Sequence, residues 1–242
     1  MATRKPSTRG PGRPRRQHGA AQDDLRDRLL DMALTLFARD GVGPTSLAAI
    51  AREAGVTAPM VHYHFKTRDQ LLDALVEERI RPLVEQVMGP ALMAITDDNG
   101  VIDLAQAVAG VAQRMVAVAS ATPWFPTLWI REIASEGGQL RERVFARVAL
   151  ERATLLVERI ARAQAAGAVN PALQPPLVMA SVIGLAMLPL ATRALWGRLP
   201  YADQVSDEAI GRHVAALLLH GIGPVAASED DGSKKSKRKG RK

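Results

Sequence analysis

Cysteine is absent from all 242 residues, which excludes disulfides, thiol nucleophiles and cysteine-ligated metal and suits a reducing cytoplasm. Aromatic residues make up only 4%, whereas hydrophobic residues reach 47% and are dominated by alanine and leucine. β-branched or aromatic runs of strand type are missing, so the composition points to an all-α chain. The basic N-terminus has no apolar core of the kind a secretory signal carries. An uninterrupted apolar run of membrane length is also lacking. Residues 171–192 are uncharged, but Gln174, Pro175, Pro176 and Pro189 leave roughly sixteen apolar-rich residues where a span needs about twenty.

Length allows one large domain or two modest ones, with ample core. The formal charge of +7 is unevenly placed. Residues 1–22 hold six basic residues and no acid, and residues 225–242 hold seven basic residues and three acids, so the middle of the chain is mildly acidic. Attraction to a polyanion such as DNA must then come largely from the ends. Residues 1–22 are rich in Pro, Gly and Arg, a composition that cannot build a core and predicts a disordered arm. Within the arm, Pro11-Gly12-Arg13-Pro14-Arg15 resembles an AT-hook core, whose arginines (Arg13 and Arg15 here) would enter a narrow minor groove. Residues 225–242 read as a second disordered segment, acidic and then basic.

Residues 45–72, TSLAAIAREAGVTAPMVHYHFKTRDQLL, carry the densest local signal. Leu47, Ile50, Ala51 and Ala54 fall at i, i+3, i+4 and i+7, one apolar stripe of a helix. Gly55 follows where a sharp turn needs the left-handed region. Thr57 can cap a new helix with Pro59 in its first turn. That helix is about two turns long and displays Thr57, Ala58, Met60, His62 and Tyr63, an uncharged surface suited to base edges. Thr67 with Gln70 three residues on reads as a capping box opening a longer helix. Helix, glycine turn and short polar helix is the grammar of a helix-turn-helix. Upstream, Asp23 or Asp24 would cap a first helix that buries Leu25, Leu29, Met32, Ala33, Leu36 and Phe37 and ends at Gly41.

The run from Leu36 to Leu72 resembles the DNA-binding domain of the TetR-like bacterial transcriptional regulators. Ala33, Phe37, Gly41, Thr45, Ile50, Ala51, Ala54, Gly55, Val56, His64, Phe65 and Leu71 carry the resemblance, which covers roughly residues 25–75. Two positions depart from the family pattern: His62 stands where a phosphate-contacting tyrosine is usual, and Arg68 where lysine is usual. The resemblance implies base readout by Thr57, Ala58, Met60 and Tyr63. It implies phosphate contact by Thr45, His62, His64, Lys66 and Arg68.

Downstream, the helix opened by Thr67 is expected to run to about residue 95 with a kink at Pro82 or Gly89-Pro90. A turn at Asp97-Asp98-Asn99-Gly100 precedes helical patterns at roughly 101–121, 124–136, 139–166, 175–196 and 206–222. The expected domains are an arm (1–22), a three-helix helix-turn-helix domain (23–72), a helical ligand-binding and dimerisation bundle (73–224) and a tail (225–242). His62 and His64, two apart, point to different faces and cannot share one metal ion on a regular helix. His213 and His220 are too separated to chelate. Arg131-Glu132 beside Trp124, Phe125 and Trp129 is the most unusual downstream cluster. No catalytic constellation assembles around Glu132, so no enzyme, metal or cofactor is expected. The aromatics read either as core with a surface ion pair or as a ligand-pocket wall, with Met115, Met187 and Trp196 as further pocket candidates.

Residues 177–188 are apolar nearly all round, and Ala180 and Gly184 permit close helix approach. A second subunit is the natural cover, with Val214, Leu217 and Leu218 of the last helix beside it, as the dimer bundle of the resembling family implies. The combined expectation is a cytoplasmic homodimeric repressor that reads a near-palindromic double-stranded DNA operator and is released by a small apolar or amphipathic molecule. A catalytic helical protein with a vestigial helix-turn-helix, and a sequence-indifferent architectural binder, are the alternatives.

Overall fold

The computed structural model describes residues 16–96, 104–147 and 150–222, and the regular elements among them are all helical. Arm residues Arg13 and Arg15, the turn at 97–100 and the tail at 225–242 lie outside the described residues. The chain divides into two compact units between Leu75 and Val76.

The first unit contains α1 (Arg16–Asp40), α2 (Leu47–Glu53), α3 (Ala58–His64) and α4 (Arg68–Leu75). Helix α1 starts at Arg16 rather than at Asp23 or Asp24. Ala20, Ala21 and Gln22 are good helix formers, and nothing N-terminal to the aspartates forces a stop. The expected arm therefore contributes its last residues to this helix. α1 packs against α2 on one side and α4 on another. That double packing buries Leu30 and Leu34 as fully as Leu29, Ala33 and Phe37, whereas Leu25 and Met32 remain half-buried. Gly41 ends α1 at φ +96°, with its N–H donating to the Phe37 carbonyl at 3.0 Å.

The second unit opens with a π-helical turn (Val76–Ile80), followed by α5 (Arg81–Thr96), α6 (Leu104–Ala121) and α7 (Trp124–Leu128). A second π-helical turn (Trp129–Ala134) leads to α8 (Arg141–Arg147), α9 (Leu150–Ala165), α10 (Pro175–Ala191), α11 (Arg193–Trp196), a 3-10 turn (Ala202–Gln204) and α12 (Asp207–Ile222). The irregularity expected at Pro82 or Gly89-Pro90 instead falls just before Pro82. Proline lacks an N–H and its ring crowds the carbonyl four residues back, so the turn preceding it is the one that widens. α10 stops at Ala191 instead of continuing to 196. The Thr192 hydroxyl donates back to the Leu188 carbonyl at 2.7 Å, and Pro189 supplies no N–H.

α6 is the central helix, flanked by α5, α10 and α12. It is also the one described helix long and apolar enough to cross a membrane, and half of it is buried inside the protein. On α12, Ile210, Val214, Ala215 and Leu218 point inward. Val214 is 1% and Leu218 6% exposed, so these two belong to the protomer core and not to an outward dimer surface. Periodicity identifies an apolar stripe but not which neighbour covers it. Leu217, at 48%, is exposed.

Candidate functional site

The helix-turn-helix is built by α2, a four-residue turn and α3. Ser46 caps α2, its hydroxyl oxygen accepting from the Ala49 N–H at 3.1 Å. The signal for that cap, a serine immediately before the apolar stripe, stands plainly in the sequence. At the other end, the Val56 N–H donates to the Ala51 carbonyl at 2.9 Å and the Gly55 N–H to the Arg52 carbonyl at 3.2 Å. This is a Schellman closure, and it requires the left-handed φ of +67° that Gly55 adopts. Thr57 takes the extended N-cap backbone of α3 but makes no side-chain cap bond, so its hydroxyl is not committed to the helix as expected. Val61 and Phe65 anchor the inner face of α3 in the core, and Arg26 stacks over the Phe65 ring at 5.1 Å from its centroid.

This anchoring turns the outer face of α3 to solvent. Thr57, Ala58, Met60, His62 and Tyr63 all reach solvent, with Tyr63 at 70%. His64 is half-buried, and its ring meets the Tyr63 ring edge-on at 5.3 Å. Lys66 is exposed just past the helix end. The capping box at the next helix is staggered: Thr67 Oγ1 accepts from the Gln70 N–H, while Gln70 Oε1 accepts from the N–H of Lys66 rather than that of Thr67.

Two expected phosphate contacts are occupied internally. Thr45 is buried, and its hydroxyl donates to the Gly41 carbonyl at 2.8 Å. The Arg68 guanidinium donates to the carbonyls of Val42 and Gly43, stapling α4 to the α1–α2 loop. Sequence spacing could not reveal this, because the loop lies about twenty-five residues away and only the folded unit brings it to Arg68.

In the second unit the three aromatics pack on one another, with Phe125 buried and Trp124 and Trp129 half-buried. Phe125 is buried between Trp124 and Trp129, with ring centroids 5.7 Å away on each side in edge-to-face geometry. Met115 and Met187 are buried, and the Trp196 indole N–H donates to the Pro189 carbonyl at 2.6 Å. Arg131 and Glu132 form an ion pair with only one partner at the surface: Arg131 is exposed, Glu132 is 6% exposed, and Arg131 Nε lies 3.9 Å from Glu132 Oε1. A Glu132 carboxylate oxygen accepts from the Gln139 N–H at 3.2 Å, and the Glu132 carbonyl accepts from Leu140 at 3.2 Å. Glu132 therefore clamps the loop that leads into α8.

An apolar cavity of about 10 Å³ lies elsewhere in this unit. Met88 and Ala91 of α5 face Leu104, Ala107, Val108 and Val111 of α6, and Leu156 of α9 and Met179 of α10 close it. None of Met115, Trp124, Phe125, Trp129, Met187 and Trp196 lines it. The sequence offered no signal for this location, since single methionines and leucines on four helices are indistinguishable from ordinary core.

α10 presents a continuous outward face. Leu177, Ala180, Ser181, Gly184 and Leu188 recur at helical spacing, and the two leucines are 59% and 55% exposed. Among the described residues no cluster of histidines and acids is arranged to hold a metal ion.

Residues 29–75 match the family model described as bacterial regulatory proteins, tetR family. The HTH-type transcriptional regulator SrpR of Pseudomonas putida is 38% identical over 68 residues, 28% of this chain and 32% of its own length. The match thus spans about a third of that relative. Among solved structures, the ketosteroid transcriptional regulator KstR2 of Mycobacterium tuberculosis superposes with a TM-score of 0.61 at 18% identity, over 83% of this chain and 95% of that one. AibR in complex with isovaleryl coenzyme A and operator DNA gives 0.60 at 18% identity, over 81% and 98%. At that identity the structural likeness establishes the fold.

Proposed function

We propose, from the match of residues 29–75 to the tetR family model, that the chain is a DNA-binding transcriptional regulator, a homodimeric repressor released from a near-palindromic operator by a small, largely apolar effector. The observation that carries the reading is the outer face of α3. A Schellman turn and two buried anchors hold Thr57, Ala58, Met60 and Tyr63 in solvent on a short helix, with no charge to drive non-specific attraction. Such a face suits base edges in a major groove. His62 and Lys66 are the exposed donors left for phosphate, with His64 half-exposed beside them. Thr45 and Arg68 support the domain from inside.

The apolar face of α10 with Leu217 of α12 is the surface a second copy would cover, and two-fold symmetry would give the operator its palindrome. The cavity among α5, α6, α9 and α10 is the effector site this reading favours. Its walls are wholly apolar, and the solved neighbours carry names that include a ketosteroid regulator and an isovaleryl coenzyme A complex. Release needs little energy: a tenfold loss of operator affinity corresponds to about 1.4 kcal/mol of coupling between sites.

Selection from a random duplex library should yield a near-palindromic sequence. Tyr63→Ala should weaken binding to it by roughly 1–3 kcal/mol while leaving random-sequence binding little changed. Equal losses on both would move Tyr63 to the backbone-contact class, and recovery of no preferred sequence would favour an architectural binder.

A further inference from the structure

Near the apolar cavity lies a cation that pairs with no carboxylate among the described residues. Arg114 is on α6, and Ala107, Gly110, Val111 and Arg114 fall at i, i+3, i+4 and i+7, one stripe of that helix. Ala107 and Val111 line the cavity. The Arg114 side chain folds back toward the helix N-terminus over Gly110: a β-carbon there would lie 3.2 Å from Nη1. Its Nε donates to the Val87 carbonyl of α5 at 2.9 Å, directly before the cavity residue Met88. The guanidinium is therefore held between the two helices that form most of the cavity wall. Its Nη2 is buried and has no hydrogen-bond partner, and among the described residues no carboxylate pairs with it. Burial lowers the Arg114 pKa from its ordinary value, and no opposing charge contributes. Such a group costs stability as it stands, since a buried donor without an acceptor loses its hydration.

We propose that Arg114 is the head-group subsite of the effector site, and that the effector is an anionic amphiphile: a carboxylate held by the guanidinium with an alkyl chain in the cavity. The proposal rests on the effector reading above and deepens it. An ionised carboxylate supplies the acceptors that the fixed fork of Arg114 lacks. At about 10 Å³ the cavity as it stands has room for about one water, so a chain enters only where the wall yields. Met88 and Met179, unbranched and easily re-rotated, form the part of the wall that yields to a chain. Gly110 has its own part, because a β-carbon there would crowd the guanidinium at 3.2 Å and a branched side chain would occupy its lane.

The test compares octanoate with octan-1-ol, equal in chain and different in charge, by calorimetric titration and thermal shift on the full-length protein. Wild type should bind octanoate about tenfold to a hundredfold more tightly than the alcohol, the range expected of charge-assisted hydrogen bonds. Arg114→Met should erase the preference while keeping alcohol binding. Gly110→Leu, which retains the charge but blocks its lane, should do the same and serves where the first variant folds poorly. Equal binding of the two ligands, binding of neither, or a preference surviving in both variants overturns the assignment. Operator affinity separates the two levels. Octanoate that binds through Arg114 without weakening DNA binding sinks the effector reading and leaves the subsite. Octan-1-ol that releases DNA as well as octanoate sinks the subsite and leaves the effector reading.

Discussion

Gly138→Ala is the substitution for which the structure gives the sharpest magnitude. The loop between the second π-helical turn and α8 folds back so closely that a β-carbon on residue 138 would lie 2.3 Å from the Glu132 carbonyl oxygen and 2.5 Å from its carbon. Both are backbone atoms, so no rotamer change relieves the clash and the loop must lift. Lifting it breaks the Leu140 N–H bond to the Glu132 carbonyl and the Gln139 N–H bond to the buried Glu132 carboxylate. A neutral hydrogen bond contributes about 0.5–1.5 kcal/mol and one to a charged group about 1.5–3, which puts the loss at roughly 2–4.5 kcal/mol. Gly55→Ala provides the contrast. Its β-carbon would meet nothing within 4 Å, and only the φ of +67° opposes it. The left-handed penalty of about 1–2 kcal/mol is partly offset by about 0.4–1 from a stiffer unfolded chain. All three tryptophans lie between residues 124 and 196, so their fluorescence during urea unfolding reports on the second unit. With a mid-range m-value of about 2 kcal/mol/M and a loss of about 3 kcal/mol, Gly138→Ala should lower that midpoint by about 1.5 M. A Gly138→Ala midpoint within error of wild type would refute the clash argument and with it the role of Glu132 as a loop clamp.

Arg68→Met should destabilise the first unit by about 1–3 kcal/mol in circular-dichroism melts, because the charge-assisted bonds from its guanidinium to the Val42 and Gly43 carbonyls are lost, although Val42 keeps the Thr45 N–H. A variant that melts normally but binds DNA weakly would return Arg68 to the phosphate-binding class. Deleting residues 1–15 removes five basic side chains without cutting α1. The slope of log affinity against log salt should then flatten by about 0.9 for each phosphate the arm had neutralised, and an unchanged slope would show that the arm does not touch DNA. Gly184→Glu places a charge on the outward face of α10, where a side chain meets nothing within the protomer. Sedimentation should show monomer for this variant and dimer for wild type, and a wild-type monomer at micromolar concentration would remove the dimer proposal.

Features governed by near neighbours in the chain were legible in the sequence alone. The left-handed turns at Gly41 and Gly55, the apolar stripe of α2, the Thr67 cap and the all-helical class each depend on a few consecutive residues and on a 3.6-residue period. The exposed face of α3 was legible for the same reason, since Gly55 and Pro59 set where that helix begins and Val61 sets which side is inner. Tertiary structure decided what long-range partners decide. Leu30 and Leu34 are core because α1 is covered on two sides, and Val214 and Leu218 are core because α12 lies against α6. Thr45 and Arg68 look like surface donors by type, yet the folded unit turns them onto backbone carbonyls of the α1–α2 loop. The cavity lined by methionines and aliphatics lies among four helices separated in sequence, and how such helices interdigitate is set by the folded unit and not by any local pattern. Arg114 became visible only when its helix met α5, because a lone arginine in an apolar sequence reads as solvated until burial removes its water.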